Sequence, residues 1–326
     1  MNTVAHHHGK IFRNPYIGFE PRGFKDFLQW QRDRRNGKAP PQSRKYHFPI
    51  IENDGALLRE NREHLTLTWI GHSTTLIQIA GRNILTDPIF SERCSPVSWA
   101  GSKRHLPASP RLKHLPPIDF VLLSHDHYDH LDKPTIKNLG NRPLYIASLR
   151  VGNILQSFGI DQKRIVELDW WQSVEMEGLQ FHCTPAQHFS GRGVHNRNGT
   201  LWCSWAVIGK QQRLYFGGDS GYFSGFKEIG EKFGRFDLAL LPIGAYLPRW
   251  FMSPVHMEPA QSLQAFLDVR AEKMLAIHWG TFDLADEPLD EPPRLLRAAA
   301  ESLRIDPAGI WIFQPGETRR LDENIS

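Results

Sequence analysis

The spacing of apolar positions changes near residue 65. Before it, residues 1–60 carry few periodic apolar positions, and Arg32, Arg34 and Arg35 precede a Pro40-Pro41 break. This segment reads as an irregular lead that wraps the following domain, caps one of its edges, or mediates self-association. At residues 65–70 the run Leu-Thr-Leu-Thr-Trp-Ile is rich in β-branched and aromatic side chains, which predicts a strand. Residues 74–79 predict a second strand and Ala80-Gly81-Arg82-Asn83 a turn. Residues 84–86 predict a third strand, closed by Asp87-Pro88. Strands joined by such short turns form an antiparallel start to a sheet.

Further on, strands and helices interleave. Residues 91–117 are rich in Ser, Pro and Arg and read as a long loop of the kind that lines active sites. Residues 118–124 form an apolar run ending at His125. Asp132 is placed to cap a helix that takes Pro134 into its first turn. Strands are predicted at 143–147, 165–168, around Phe181 and Cys183, and at 202–208, 213–216, 237–242, 273–277 and 310–313. Helices are predicted at 151–158, 259–269 and 294–303. The mixture fits a layered α/β protein of two sheets packed face to face, with helices on both outer faces. The expected division is a lead of residues 1–60 and one domain of residues 61–326.

Composition narrows the class. The chain has 326 residues, 40% hydrophobic and 23% charged, enough to bury a sizeable core. The net charge of +4 comes from 39 Lys plus Arg against 35 Asp plus Glu. That helps approach to phosphate or an anionic surface. No basic stripe interleaved with aromatics is present, so a nucleic-acid partner is not expected. Three cysteines, Cys94, Cys183 and Cys203, cannot build a disulfide framework, which fits a reducing cytosol. No apolar leader and no run long enough to span a bilayer occur. The expectation is therefore a cytoplasmic protein, with peripheral contact at the inner membrane surface and a homodimer left open. His6, His7 and His8 stand together near the start, either as a polar tip that picks up metal or as the relic of a tag. They are given no catalytic role.

The chemistry concentrates in Ser124-His125-Asp126-His127-Tyr128-Asp129-His130. Four possible ligands occur within six residues, directly after a predicted buried strand. His125 and His127 can direct their rings the same way, and Asp129 and His130 can face a second ion close by. One metal cannot easily use all four together with distant ligands, whereas two can. Imidazole nitrogen and carboxylate oxygen suit zinc first, with iron, manganese or cobalt able to use the same donors. His188, Asp219 (after Gly217-Gly218) and His278 each end an apolar element. Singly they are weak signals, but together they complete a donor set.

The string resembles the His-x-His-x-Asp-His signature of the metallo-β-lactamase superfamily. That resemblance implies an αββα sandwich with the metals at one edge between the sheets. It implies His125, His127 and His188 as ligands of the first metal, Asp129, His130 and His278 for the second, and Asp219 as the bridging carboxylate. A narrower similarity covers about residues 65–320. It is to the phospholipase D enzymes that release N-acylethanolamines from N-acylphosphatidylethanolamine. It rests on strings such as Leu85-Thr86-Asp87-Pro88-Ile89-Phe90, Glu167-Leu168-Asp169-Trp170-Trp171, Pro248-Arg249-Trp250-Phe251-Met252 and Ala276-Ile277-His278-Trp279-Gly280. Val255 departs from the mammalian members, which carry glutamine before the histidine matching His256.

The implied activity is hydrolysis of a phospholipid phosphodiester at a two-metal centre. A lactonase, or a phosphodiesterase for another small substrate, is the alternative. Asp126 and Asp87 are candidates to tune a ligand or the attacking water from behind the metals. His256 is a candidate to bind a phosphate oxygen or protonate the leaving group. Tyr246, Arg249 and Trp250 suit an amphiphilic substrate.

Overall fold

The period of two along the strands sorts apolar side chains onto two faces, and this sorting builds the layers. The computed structural model describes residues 6–16, 22–40, 46, 48–193 and 196–322; Pro41 of the predicted break lies outside them. The chain begins with a hairpin of β1 (His7–His8) and β2 (Ile11–Phe12), then α1 (Phe24–Arg35) and α2 (Ala56–Glu60). The first half of the domain contains β3 (Thr66–Gly71), β4 (Thr74–Ile79), β5 (Arg82–Thr86), β6 (Phe120–Leu123), α3 (Lys133–Leu139), β7 (Leu144–Ser148), α4 (Val151–Ser157) and β8 (Ile165–Leu168). The second contains β9 (Ser173–Met176), β10 (Leu179–Thr184), β11 (Ser204–Ile208), β12 (Arg213–Phe216), α5 (Gly225–Phe233), β13 (Phe236–Pro242), α6 (Arg249–Met252), α7 (Pro259–Asp268), β14 (Ala271–Ile277), α8 (Glu291–Ser302) and β15 (Ile310–Trp311). The chain then returns to the first sheet with β16 (Thr318–Arg320).

Each sheet has seven strands, in the orders β16-β3-β4-β5-β6-β7-β8 and β15-β14-β13-β12-β11-β10-β9. Both are mixed. In the first, β16, β3, β4 and β5 are antiparallel neighbours and β5 to β8 run parallel. In the second, β9 to β12 are antiparallel and β12 to β15 parallel. Phe120 and Leu122 of β6 and Ile146 of β7 enter the inter-sheet core with Phe181 and Trp205. The Phe120 and Phe181 rings lie 4.9 Å apart. The intervening Val121, Leu123, Tyr145 and Ala147 face the opposite way, against Ile136, Val151 and Leu155 of α3 and α4. Beyond the second sheet, α5, α7 and α8 contribute Phe226, Ile229, Leu263, Phe266 and Leu296. This is the expected αββα sandwich of two mixed sheets.

The lead is not irregular throughout. α1 starts where the Asp26 carboxylate accepts the Gly23 N–H at 2.8 Å, and Arg32, Arg34 and Arg35 fill its last turn, which suits the helix dipole. It shows no apolar stripe in sequence: among its described side chains Trp30 is the buried anchor, while Phe27 and Leu28 stay exposed. The Trp30 indole N–H donates to Asp286 at 2.7 Å, and its ring stacks on Phe251. Phe12 is buried in the main core. The 91–117 stretch is irregular as expected, apart from a short 3-10 turn at Leu112–His114.

Candidate metal centre

Strand ends from both sheets deliver the polar residues to one edge of the sandwich. His72 follows β3, Asp87 follows β5, and residues 125–130 follow β6. From the other sheet, His188 follows β10, Asp219 follows β12 and His278 follows β14. Backbone bonds lock the two sheets together here. The His278 N–H donates to the His72 carbonyl at 3.0 Å, and the Cys203 N–H to the Ser124 carbonyl at 2.9 Å. Glycine is required at 218, where φ is +56° and a β-carbon would stand 2.6 Å from that of Ser124. Asp219 reaches the centre through that close approach.

The donor atoms form two clusters. In the first, His125 Nε2 lies 2.8 Å from His127 Nδ1, and His188 Nε2 lies 3.3 Å from the same atom. In the second, Asp129 Oδ2 lies 2.9 Å from His72 Nε2, 3.3 Å from His130 Nε2 and 3.6 Å from His278 Nε2. Asp219 stands between the clusters: its Oδ2 is 3.1 Å from both His130 Nε2 and His278 Nε2 and 3.8 Å from His188 Nε2. The seven sequence-predicted donors, His125, His127, Asp129, His130, His188, Asp219 and His278, are thus brought together. His72 joins them without having been singled out. The available signal was a histidine closing an apolar strand, as His278 does.

The fit to metal ions is tested by what these atoms lack. His130 Nε2, His278 Nε2 and Asp219 Oδ1 are buried and make no aligned hydrogen bond. Unpartnered buried polar atoms are costly, and a cation at the second cluster would give both ring nitrogens a partner. The donor set of imidazoles and carboxylates suits divalent ions such as zinc, iron, manganese or cobalt.

The supporting groups fix which ring nitrogens face inward. Asp87 is fully buried; its Oδ1 accepts the Ser124 N–H at 2.7 Å, and its Oδ2 accepts both the Ser124 hydroxyl at 2.5 Å and His130 Nδ1 at 2.7 Å. Ser124 Oγ also meets His125 Nδ1 at 2.9 Å. With the Ser124 hydroxyl donating to Asp87, it accepts from His125. His188 Nδ1 donates to the Val255 carbonyl at 2.9 Å. Each contact puts the N–H on Nδ1 and leaves an Nε2 lone pair for the centre.

Electrostatics follow from burial and crowding. Burial, with the charges of His130, His127 and His188, pushes the His125 pKa well below its ordinary value. Burial works against charge on His130 too, but the carboxylates of Asp219 and Asp129 outweigh it and raise its pKa well above normal. Burial likewise opposes the Asp219 charge, yet His130 and His278 hold its pKa well below the usual carboxylate range.

The remaining candidates occupy different places. Asp126 Oδ1 accepts the Gly191 N–H at 2.7 Å, while its buried Oδ2 has no partner. It ties the ligand loop to the loop after His188. His256 packs its ring 5.1 Å from that of His188 and 5.5 Å from that of His278, and burial lowers its pKa to about 4. Tyr246 is buried, and its hydroxyl donates to Glu291 at 2.5 Å. Arg249 donates to the His256 carbonyl at 3.1 Å and to Gln261 at 2.8 Å. Trp250 is half-buried beside Phe251, and its carbonyl accepts from Arg22. None of these three residues belongs to the metal-ligand clusters; Arg249 reaches the centre through the backbone of His256.

Residues 82–279 match the family model described as the beta-lactamase superfamily domain. The chain belongs to this superfamily. An uncharacterized protein of Mycobacterium tuberculosis is 43% identical over 304 residues, spanning 88% of this chain and 80% of that protein. The N-acyl-phosphatidylethanolamine-hydrolyzing phospholipase D 1 of Caenorhabditis elegans is 36% identical over 329 residues, spanning 93% of this chain and 92% of that enzyme. Among solved structures, isothiocyanate hydrolase from Delia radicum gut bacteria aligns with a TM-score of 0.63 at 20% identity, over 78% of this chain and 98% of that one. At that identity the likeness concerns the fold. Among the described residues no helix is long and apolar enough to cross a membrane.

Proposed function

We propose that this chain is a dinuclear zinc phosphodiesterase that hydrolyses N-acylphosphatidylethanolamine-like phospholipids to N-acylethanolamine and phosphatidic acid. The observation that carries the reading is the meeting of two donor clusters at Asp219 Oδ2. The similarity to the worm enzyme over nearly the whole chain supports the substrate class. Bound there, two ions supply Lewis acidity for a phosphodiester and lower the pKa of water. His125, His127 and His188 would hold one, and His72, Asp129, His130 and His278 the other, with Asp219 between them.

In the proposed reaction a water oxygen forms a new bond to phosphorus. The bond from phosphorus to the ethanolamine oxygen breaks, and that oxygen takes a proton as it leaves. His256, whose lowered pKa keeps its ring neutral, donates its ring N–H to a phosphate oxygen in this reading, and the departing oxygen takes its proton from water. Asp126 supports the ligand loop from behind. Tyr246, Arg249 and Trp250 form part of the wall for the lipid. A cavity of about 590 Å³ borders the ligand loop at Tyr128; Arg93, Lys133 and Arg192 outnumber Glu92 and Asp132 in its lining, beside Val97 and Phe158. Its mixed charge and apolar surface suit an anionic amphiphile. Trp99, 80% exposed on the same loop as Val97, supports peripheral contact with the cytoplasmic membrane surface.

The test is incubation of zinc-loaded protein with N-acylphosphatidylethanolamine in oxygen-18 water, with mass spectrometry of both products. Label in phosphatidic acid is expected. Release of free fatty acid instead means ester or amide hydrolysis and overturns the assignment. Efficient opening of an acyl-homoserine lactone without lipid turnover moves the function to a lactonase.

A further inference from the structure

A second collection of metal-binding side chains lies away from the centre, where the N-terminal hairpin meets the turn after β8. His6 Nε2 is 2.7 Å from Asp169 Oδ1, and His7 Nε2 is 2.7 Å from Asp169 Oδ2. The two rings are 4.5 Å apart, and the three donor atoms lie within 4.8 Å of one another. We propose that His6, His7 and Asp169 form a third divalent-cation site that clamps the N-terminal hairpin onto the body of the domain.

The groups are held in place before any ion arrives. The Trp170 N–H donates to Asp169 Oδ1 at 2.8 Å, and the Asp169 N–H donates to Gln172 at 2.9 Å. The His6 ring stacks on Trp170 at 4.2 Å, and that of His7 meets Phe12 edge-on at 5.0 Å. Only His7 is substantially open, with 48% of its side chain exposed. Burial raises the Asp169 pKa, but hydrogen bonds from His6 and His7 overcome it and bring the value down to about 2, so the carboxylate is charged at neutral pH. Two imidazoles and a carboxylate are donors for zinc and its neighbours. Tetrahedral ligation at about 2.0–2.1 Å places donors about 3.3 Å apart. The present 2.7 Å contacts therefore open by roughly half an ångström to admit an ion, and His7 has the freedom to move. Water fills the fourth position.

The clamp sits at the start of a segment that leads to the active edge. The Lys10 carbonyl accepts from Arg150 at 2.6 Å, the Phe12 N–H donates to the Asn198 carbonyl at 2.8 Å, and Asn14 donates to the carbonyl of His188 at 2.7 Å. An ion at residue 169 thus fixes the chain whose Asn14 holds the backbone carbonyl of a central ligand, His188.

The experiment uses untagged full-length protein already loaded at the central clusters and dialysed. Zinc is titrated by calorimetry and counted by elemental analysis, in wild type and in His7→Ala, Asp169→Asn and His8→Ala. The expected result is one zinc more per chain in wild type and His8→Ala than in His7→Ala and Asp169→Asn. Zinc should also slow tryptic cleavage after Lys10 only in the proteins that bind the extra ion. Because the count is a difference between variants, it stands whether or not the lipid activity is found. Equal zinc content in wild type and His7→Ala overturns the proposal, as does loss of the extra ion in His8→Ala. The latter outcome means loose chelation by the histidine string. If Asp169→Asn does not fold, His7→Ala decides alone, since that half-exposed ring is outside the core.

Discussion

Replacing Asp87 by asparagine changes one atom and reverses the hydrogen-bond logic behind both metal clusters. Burial raises the Asp87 pKa against hydrogen bonds from His130 and Ser124. The donors settle its state: the Ser124 N–H, the Ser124 hydroxyl and His130 Nδ1 all converge on its two oxygens, an arrangement that suits a carboxylate. In Asp87→Asn, the oxygen that accepts the Ser124 N–H is retained, and an NH₂ group takes the place of Oδ2. That group faces His130 Nδ1–H, donor against donor. Relief requires His130 to move its proton to Nε2, which removes the lone pair offered to the second cluster. The Ser124 hydroxyl also loses its acceptor, and its proton is left to turn toward His125 Nδ1, against the N–H there. Changes of this kind cost about 10–100-fold in metal affinity, or about 1.4–2.7 kcal/mol. The assay is competition for zinc with a chromophoric chelator, followed by elemental analysis. The more weakly held ion should be that of the His72–Asp129–His130–His278 cluster. Ser124→Ala, which spares the His130–Asp87 contact, should mainly affect the other ion. Wild-type affinity for both ions in Asp87→Asn would refute the tautomer argument.

Asp219→Asn should largely abolish turnover and weaken the second ion while leaving the fold intact, because it removes the charge shared by His130 and His278 at 3.1 Å; kinetics beside metal content check this, and near-normal turnover with two ions retained counts against a bridging role. His72→Ala should lower metal content toward one ion per chain, with the His125–His127–His188 cluster still filled; wild-type stoichiometry and affinity would remove His72 from the ligand set. Phe120→Ala opens the inter-sheet core opposite Phe181 and should cost about 3–5 kcal/mol; urea unfolding measures it, and a loss below about 1 kcal/mol would mean that the sheets close over the gap.

The parts of the fold legible in the sequence are those whose information is local. The alternation through 65–79 is answered by β3 and β4, and Asp132 caps α3 by accepting the Thr135 N–H. The unread strands are short and lie at the margins of the sheets. β9 is partly exposed and pairs along the edge of β10, and β16 forms only because residues 318–320 meet β3 from the far end of the chain. Residues 173–176 alternate over four positions only, and residues 318–320 carry no apolar side chain, too little in either case to declare a strand. α1 fails for the same reason: one anchoring tryptophan is not a stripe, and its partners Asp286 and Phe251 are more than 200 residues away.

The metal centre divides along the same line. His125 to His130 could be read as ligands because one loop carries them and their spacing is itself the signal. His72 carried only the weak signal of a histidine closing an apolar strand, because its role is created by the packing of one sheet against the other. Both His72 and His278 adopt positive φ, +55° and +59°, where a β-carbon is strained. Their backbones are joined by the His278 N–H to His72 carbonyl bond. The strain at each strand end is therefore held by the other strand end, and the same bond sets both rings beside Asp129. Val255 gives the converse case. As a departure from the related phospholipases it draws attention to its side chain, yet it is the backbone carbonyl that orients His188, and every amino acid supplies one. A change at position 255 can therefore leave the ligand geometry unaltered while its buried side chain reshapes the neighbourhood of His256. Metal binding and substrate preference are separable there: Val255→Gln should retain both ions at wild-type affinity while shifting the relative rates on phospholipids with different headgroups. Elemental analysis paired with a headgroup series measures both, and loss of an ion in that variant would show that the side chain, not the carbonyl, governs His188.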